Sequence, residues 1–176
     1  MSARAMILAA GLGKRLLPLT QHTPKPLLLH EGRPLIDWAI EALRSSCINQ
    51  VVVNVYHLAE QIIDYLYNHH KDIEFIISRE DELLGTGGGI KNAFPYLSED
   101  FITINSDIIW HDATLLQRLQ QQNNTLVLYP SSNGDFNLSP LSYCPGGEFV
   151  YCGIQFLNKS LFEDFSGKFD LLSVYQ

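Results

Sequence analysis

Residues 5–26 read AMILAAGLGKRLLPLTQHTPKP, and this stretch decides the fold. Ala5-Met6-Ile7-Leu8 is an unbroken apolar run bounded by small residues, which predicts a short buried strand. Gly11 and Gly13 follow at once and let the backbone turn tightly and approach a ligand, because neither carries a Cβ. Three cations, Lys14, Arg15 and Lys25, come next. A strand running into a glycine-bearing basic loop holds phosphate through backbone N–H groups and point charges together. Lys25 stands between Pro24 and Pro26, and prolines on both sides bias the backbone toward extended conformations, so the side chain is expected to project in a restricted direction.

Two common phosphate signatures fail here. The dinucleotide fingerprint G-x-G-x-x-G has Leu16 at its third glycine, and the Walker pattern lacks its second glycine followed by Lys-Ser/Thr. With the cations of the loop, Leu16 also disfavours an NAD(P)-linked oxidoreductase.

Outward from this loop, strand and helix patterns alternate. Leu27-Leu28-Leu29 leads to a turn at residues 30–33, and Pro34 suits the first position of a helix carrying Leu35, Ile36, Ala39, Ile40 and Leu43 on one face. Val51 to Val55 predicts a second strand, Leu58, Ile62, Ile63 and Leu66 a second helix, and Ile73 to Ile77 a third strand. Residues 83–89 read as a glycine-rich loop leading into a short helix near Ile90 to Phe94. Phe101 to Ile104 is a fourth strand ending in Asn105-Ser106-Asp107. Leu115, Leu116 and Leu119 mark a helix, and Thr125 to Tyr129 a fifth strand. From Pro130 to Gly147 the texture turns to Ser, Asn, Gly and Pro, read as turns and short strands. Phe149 to Phe156 is then a strand, and Lys159 to Phe165 a helical turn or two. Alternating strands and helices imply βαβ units: an α/β fold of three layers (α/β/α), Rossmann-like, with a mostly parallel sheet. The whole of residues 1–176 is expected to form one domain.

Composition narrows the function classes. The formal net charge is −7, from 12 basic and 19 acidic residues, which excludes a general nucleic-acid or anionic-membrane surface. An acidic chain with one cationic loop suits a small anionic ligand. Cys47, Cys144 and Cys152 show no C-x-x-C spacing and read as reduced thiols. No apolar run reaches signal-peptide or membrane-span length, so a soluble cytoplasmic protein is expected.

In open α/β sheets, ligands bind beyond the carboxyl ends of the strands, where the strand order reverses. With the order 3-2-1-4, the first and fourth strands are neighbours and Asp107 faces the basic loop across the crevice. A divalent cation bridging carboxylate and phosphate oxygens belongs there; the competing reading is that Asp107 caps the turn after its strand.

The whole opening string resembles the signature of the sugar-1-phosphate nucleotidyltransferases, G-x-G-x-R-[LM]-x-P-L-T-x-x-x-P-K-P. It is met by Gly11, Gly13, Arg15, Leu16, Pro18, Leu19, Thr20, Pro24, Lys25 and Pro26. The resemblance implies a fold of the nucleotide-diphospho-sugar transferase type. It also implies nucleotidyl transfer from UTP or GTP, with UTP favoured, to a sugar 1-phosphate. Within the family the chain resembles N-acetylmuramate-1-phosphate uridylyltransferases of peptidoglycan recycling and mannose-1-phosphate guanylyltransferase-like proteins.

The resemblance further implies roles for single residues. Arg15 would hold the β- and γ-phosphates, Lys25 would neutralise the reacting phosphates, and Asp107 would hold magnesium (Mg2+). Asp107 closes a run of the family's N-G-D type, with Ser106 in place of glycine. Leu8, Ala9, Ala10, Gly11, Gly13 and Lys14 would contact the nucleotide. So would Gly85, Thr86, Gly87 and Gly88, part of a segment similar to the family's L-G-T-[AG]-G, with Glu80 as an acceptor for the base edge. Asp135, in a G-x-[FV] type turn, and Gly153 would contact the sugar. Relatives of this kind continue through a W-x-D-x-G-T segment carrying a second magnesium-binding aspartate. No tryptophan follows Trp110 here, and Asp164 and Asp170 do not sit in that pattern, so the chain is expected to lack its C-terminal segment. That deficit leaves open a catalytically inactive nucleotide-sugar binder acting as a sensor or partner subunit.

Overall fold

A computed structural model describes residues 4–110, 112, 114–138 and 141–175. Its eight strands are β1 (Arg4–Leu8), β2 (Leu29–His30), β3 (Arg33–Pro34), β4 (Gln50–Val55), β5 (Glu74–Arg79), β6 (Asp100–Asn105), β7 (Thr125–Leu138) and β8 (Leu141–Asn158). The α-helices are α1 (Leu35–Ser45), α2 (Ala59–His69), α3 (Gly85–Asn92) and α4 (Leu115–Leu119). Six strands form one sheet in the order β5-β4-β1-β6-β8-β7, while β2 and β3 make a separate small hairpin. The first four strands of the large sheet are parallel; β8 runs antiparallel to β6, and β7 antiparallel to β8. The expected 3-2-1-4 order of the parallel strands holds, with β1 between β4 and β6.

Side-chain alternation along these strands builds the three layers. Ala5 and Ile7 of β1 and Val51, Val53 and Val55 of β4 face one way, onto Ile36, Ile40 and Leu43 of α1 and Ile62 and Leu66 of α2. Met6 and Val52 face the other way, onto Ile90 and Ala93 at the end of α3 and onto Leu157, Phe162 and Leu171. Central parallel strands buried on both faces read as continuous apolar runs, which is why Val51-Val52-Val53 is so clear in the sequence.

Two expectations change. The glycines expected in a loop lie inside α3, which begins at Gly85 rather than near Ile90. Their lack of side chains is used for packing. A Cβ at Gly87 would lie 2.3 Å from Phe169 Cε2, and one at Gly88 would lie 2.5 Å from the carbonyl oxygen of Gly167. The 130–147 region forms two long antiparallel arms with register shifts between Pro130 and Gly134 and on to Asn137. A Cβ at Gly134 would sit 2.2 Å from the Phe149 carbonyl oxygen, so glycine there reflects close strand approach at a bulge rather than a free turn. No helix among the described residues is long and apolar enough to cross a membrane.

Candidate active site

The carboxyl ends of β1, β4 and β6 meet in register, with Leu8 paired to both Asn54 and Asn105. Beyond them the basic loop turns. Gly13 takes φ +62°, and a Cβ there would press within 2.8 Å of Thr20 Cγ2, so the position needs glycine for conformation and for space. The Thr20 hydroxyl, buried, donates to the Gly13 carbonyl at 3.0 Å and ties the loop to its return limb. Gly11 is open, with nothing within 4 Å of the place its Cβ would occupy. Lys25 opens a 3-10 turn (Lys25–Leu27) after an extended Pro24, so the expected extended backbone stops one residue short of it.

Lys25 ion-pairs with Asp107 across the crevice. Both side chains are partly exposed, at 26% and 29%, so the pair is accessible to a ligand rather than sealed in the core. Asp107 thus faces the basic loop as the strand order required. Lys25 and Asp107, with Gly11, Gly13, Lys14, Arg15 and Leu16, line a cavity of about 600 Å³. A neighbouring cleft of about 500 Å³ shares Gly11, Gly13, Lys14 and Lys25 and extends along Leu8, Ala10, Asn54, Glu80, Gly85 and Thr86 to Asp170. A third cavity, of about 360 Å³, continues from Thr86, Asn105 and Asp170 to Asp135, Phe136, Tyr143, Tyr151 and Tyr175.

Several sequence-predicted residues are placed differently from their expected contacts. Gly87 and Gly88 are buried beneath residues 167–169 and do not line the cleft, whereas Gly85 and Thr86 do. Glu80 reaches the cleft but is only 4% exposed, and both its oxygens are engaged. Asn54 Nδ2 donates to one at 2.7 Å and the Leu84 amide to the other at 3.1 Å. Its carboxylate therefore braces the wall while still lining the cleft. Ala9 is buried, its amide donating to Asn54 Oδ1 at 2.9 Å. Gly153, at φ +75°, packs against Asn105 and Ile108, where a Cβ would lie 2.8 Å from Asn105 Nδ2.

Sequence reasoning missed Asn54 and Asp170. Asn54 had a readable signal, being a polar residue in the β-branched run Val51-Val52-Val53-Asn54-Val55 at the carboxyl end of a central strand. Asp170 had none, because a chain segment far from the loop carries it in. The Phe169 amide donates to the Leu84 carbonyl at 3.0 Å, and the Gly88 amide to the Phe169 carbonyl at 3.1 Å, docking residues 167–170 on the start of α3.

Residues 5–163 match the MobA-like NTP transferase domain. The chain belongs to that family. Among members and relatives of this MobA-like transferase group, the bifunctional protein GlmU of Methanocaldococcus jannaschii is 31% identical over 170 residues, covering 90% of this chain and 41% of that protein. N-acetylmuramate alpha-1-phosphate uridylyltransferase of Neisseria meningitidis is 37% identical over 150 residues, covering 78% of this chain and 65% of the relative. The chain therefore spans less than two thirds of these relatives' length. HddC from Yersinia pseudotuberculosis superposes with a TM-score of 0.79 at 27% identity, covering 96% of this chain and 83% of its own. A UDP-glucose pyrophosphorylase in complex with UDP-glucose shares the fold, with a TM-score of 0.81 at 17% identity.

A metal ion can be tested against this MobA-like site. Among the described residues no group of three or more His, Cys, Asp or Glu side chains could hold an ion by itself. Asp107 alone, beside Lys14, Arg15 and Lys25, suits a hard cation that shares its coordination with phosphate oxygens, as magnesium does when one or two carboxylates and a nucleotide hold it.

Proposed function

We propose that this protein transfers a nucleotidyl group from a nucleoside triphosphate, UTP in the first instance, to a sugar 1-phosphate. The observation that carries the reading is the Lys25–Asp107 pair beside the basic loop, with cavities that share lining residues from that loop through Thr86, Asn105 and Asp170 to Asp135. UTP is favoured by the likeness to the Neisseria enzyme, which is named as a uridylyltransferase. Guanylyltransferases are also similar, as the Drosophila melanogaster mannose-1-phosphate guanylyltransferase catalytic subunit beta shows, at 41% identity over 111 residues.

In this reaction an oxygen of the sugar phosphate attacks the α-phosphorus, the bond from that phosphorus to the bridging oxygen of the β-phosphate breaks, and pyrophosphate leaves. The protein's work is positioning and charge neutralisation. Gly11, Gly13 and Lys14 bring backbone and charge to the triphosphate, and Arg15, exposed on the loop, reaches the β- and γ-phosphates. Lys25 neutralises the α-phosphate and the incoming phosphate. Asp107 would hold magnesium, which when bound supplies charge neutralisation to the phosphates. The base and ribose lie along Leu8, Ala10, Gly85 and Thr86.

Pyrophosphate release tests this directly, with UTP and GTP offered against glucose, mannose, N-acetylglucosamine and N-acetylmuramate 1-phosphates in magnesium buffer. Turnover with a sugar 1-phosphate is the expected outcome. Binding of UTP or a UDP-sugar without pyrophosphate release would identify a sensor or partner subunit instead.

A further inference from the structure

The third cavity carries a charge pattern opposite to that of the basic loop. Its lining contains two carboxylates, Asp135 on β7 and Asp170 at the end of the docked segment, and among the described residues that line it there is no Lys, Arg or His. Both aspartates are exposed to the cavity side rather than committed to the core. Lys168, two residues from Asp170, is not among the lining residues. Burial pushes the phenols of Tyr151 and Tyr175 up, so both stay neutral. The Tyr151 hydroxyl oxygen is buried and the Tyr175 hydroxyl donates to Gln155 Oε1, which leaves Tyr143 and Thr86 as the hydroxyls of the lining. Thr86 and Asn105 complete a lining of hydroxyl, amide and carboxylate groups against the apolar floor of Phe136, Leu171 and Leu172.

Resting on the transferase reading above, we infer that the two carboxylates of Asp135 and Asp170 in this cavity select a neutral or amino-bearing sugar 1-phosphate and reject one with an acidic substituent. The phosphate is common to every candidate and lies toward Lys14 and Lys25, so it cancels in the comparison; what remains is the sugar's own charge. Carboxylates accept hydrogen bonds from sugar hydroxyls or an ammonium group, but repel a second carboxylate. An N-acetylmuramate 1-phosphate, whose sugar bears a lactyl carboxylate, falls on the rejected side of this selection. Asp170 is also the one residue of the pair shared with the nucleotide-side cleft, so it stands where the two substrates meet.

The test is a pair of measurements on the full chain: kcat/KM for pyrophosphate release, and equilibrium binding by calorimetry. The probes are mannose, glucosamine, N-acetylmuramate and glucuronate 1-phosphates. Neutral and amino sugars should exceed the acidic ones by roughly three- to tenfold per interacting carboxylate at low ionic strength, and the difference should shrink in about 0.5 M salt. Asp170→Asn should raise the acidic-to-neutral ratio severalfold, and Asp135→Asn, checked by thermal melting alongside it, should do the same through an independent element. An acidic sugar that equals or beats the neutral ones, or a ratio that neither variant moves, overturns the selection while leaving nucleotidyl transfer standing. A chain that neither binds nor turns over any of the four sugars overturns the transferase reading and the selection with it.

Discussion

The proposed phosphate side and the proposed sugar side of this crevice are built on opposite plans. The phosphate side comes from consecutive residues, the loop from Gly11 to Lys25, set on the carboxyl ends of three parallel strands and carrying Lys14, Arg15 and Lys25. The sugar side comes from pieces far apart in the chain, the antiparallel arms β7 and β8 and residues 167–175 docked on α3, and it carries Asp135 and Asp170. On the proposed reading, a short loop would serve a group common to all nucleotides, while residues delivered by long-range packing would serve the variable substrate.

The largest effect should come from breaking the phosphate side at its centre. Lys25→Ala is expected to lower the rate of pyrophosphate release by about 10²-fold or more, as loss of an electrostatic stabiliser does, with sugar preference little altered. Single-turnover kinetics across two sugars would check both halves; near-normal turnover would remove Lys25 from the chemistry. Next comes the brace behind that loop. Asn54→Leu removes the donor to Glu80 and the acceptor of the Ala9 amide at buried positions, at a cost of about 2–3 kcal/mol in denaturant unfolding. Nucleotide KM should rise more than sugar KM, since the Ala9 tether precedes Gly11. Equal effects on the two substrates would show that the sides are not mechanically separate.

The sugar side can be broken without touching a charge. Gly88→Ala places a methyl group against the Gly167 carbonyl and Leu84, and it should cost about 1–3 kcal/mol while loosening the segment that delivers Asp170. The comparison predicts a rise in sugar KM with nucleotide affinity retained. Hydrogen exchange at Gly88 and Phe169, whose amides hold the segment down, would rise in parallel.

These same elements explain what could be read in advance. The β1 strand, the loop and Asp107 were legible because their chemistry is contiguous or follows from strand order, and order is constrained by the rules for parallel sheets. Gly85 to Gly89 suggested a loop because glycine is unfavourable inside helices, yet here the helix needs bare backbone against Phe169 and Glu80. The long arms of β7 and β8 were hidden by their bulges, which break the two-residue alternation on which strand reading depends. Asp170 is invisible in one dimension, since it enters the crevice only through backbone bonds between residues about eighty positions apart.

The smallest effect should lie outside both sides, and it serves as their control. Asp37 on α1 is buried at 8% exposure, 2.9 Å from His70 Nε2, and accepts from the Tyr65 hydroxyl at 2.9 Å. Burial alone would raise its carboxyl, but the contacts with His70 and Tyr65 and the nearby Arg33 outweigh it and hold the group below the usual carboxylate range. Burial and the same contact push the Tyr65 phenol up to about 12. A carboxyl depressed on folding contributes stability that is present above its unfolded value, near pH 4, and is lost as pH falls through the lower folded value. The difference in Tm between the native protein and Asp37→Asn should therefore be fullest near pH 5 and shrink toward about pH 3. A constant difference across that range would mean that Asp37 is not stabilised as an anion. Because the cluster sits among α1 and α2 on the face away from residues 167–175, the variant should lower stability while leaving the ratio of neutral to acidic sugar use where it was. A shift in that ratio would show that the two faces of the sheet are coupled, and the separation between phosphate side and sugar side would then have to be redrawn through the sheet itself.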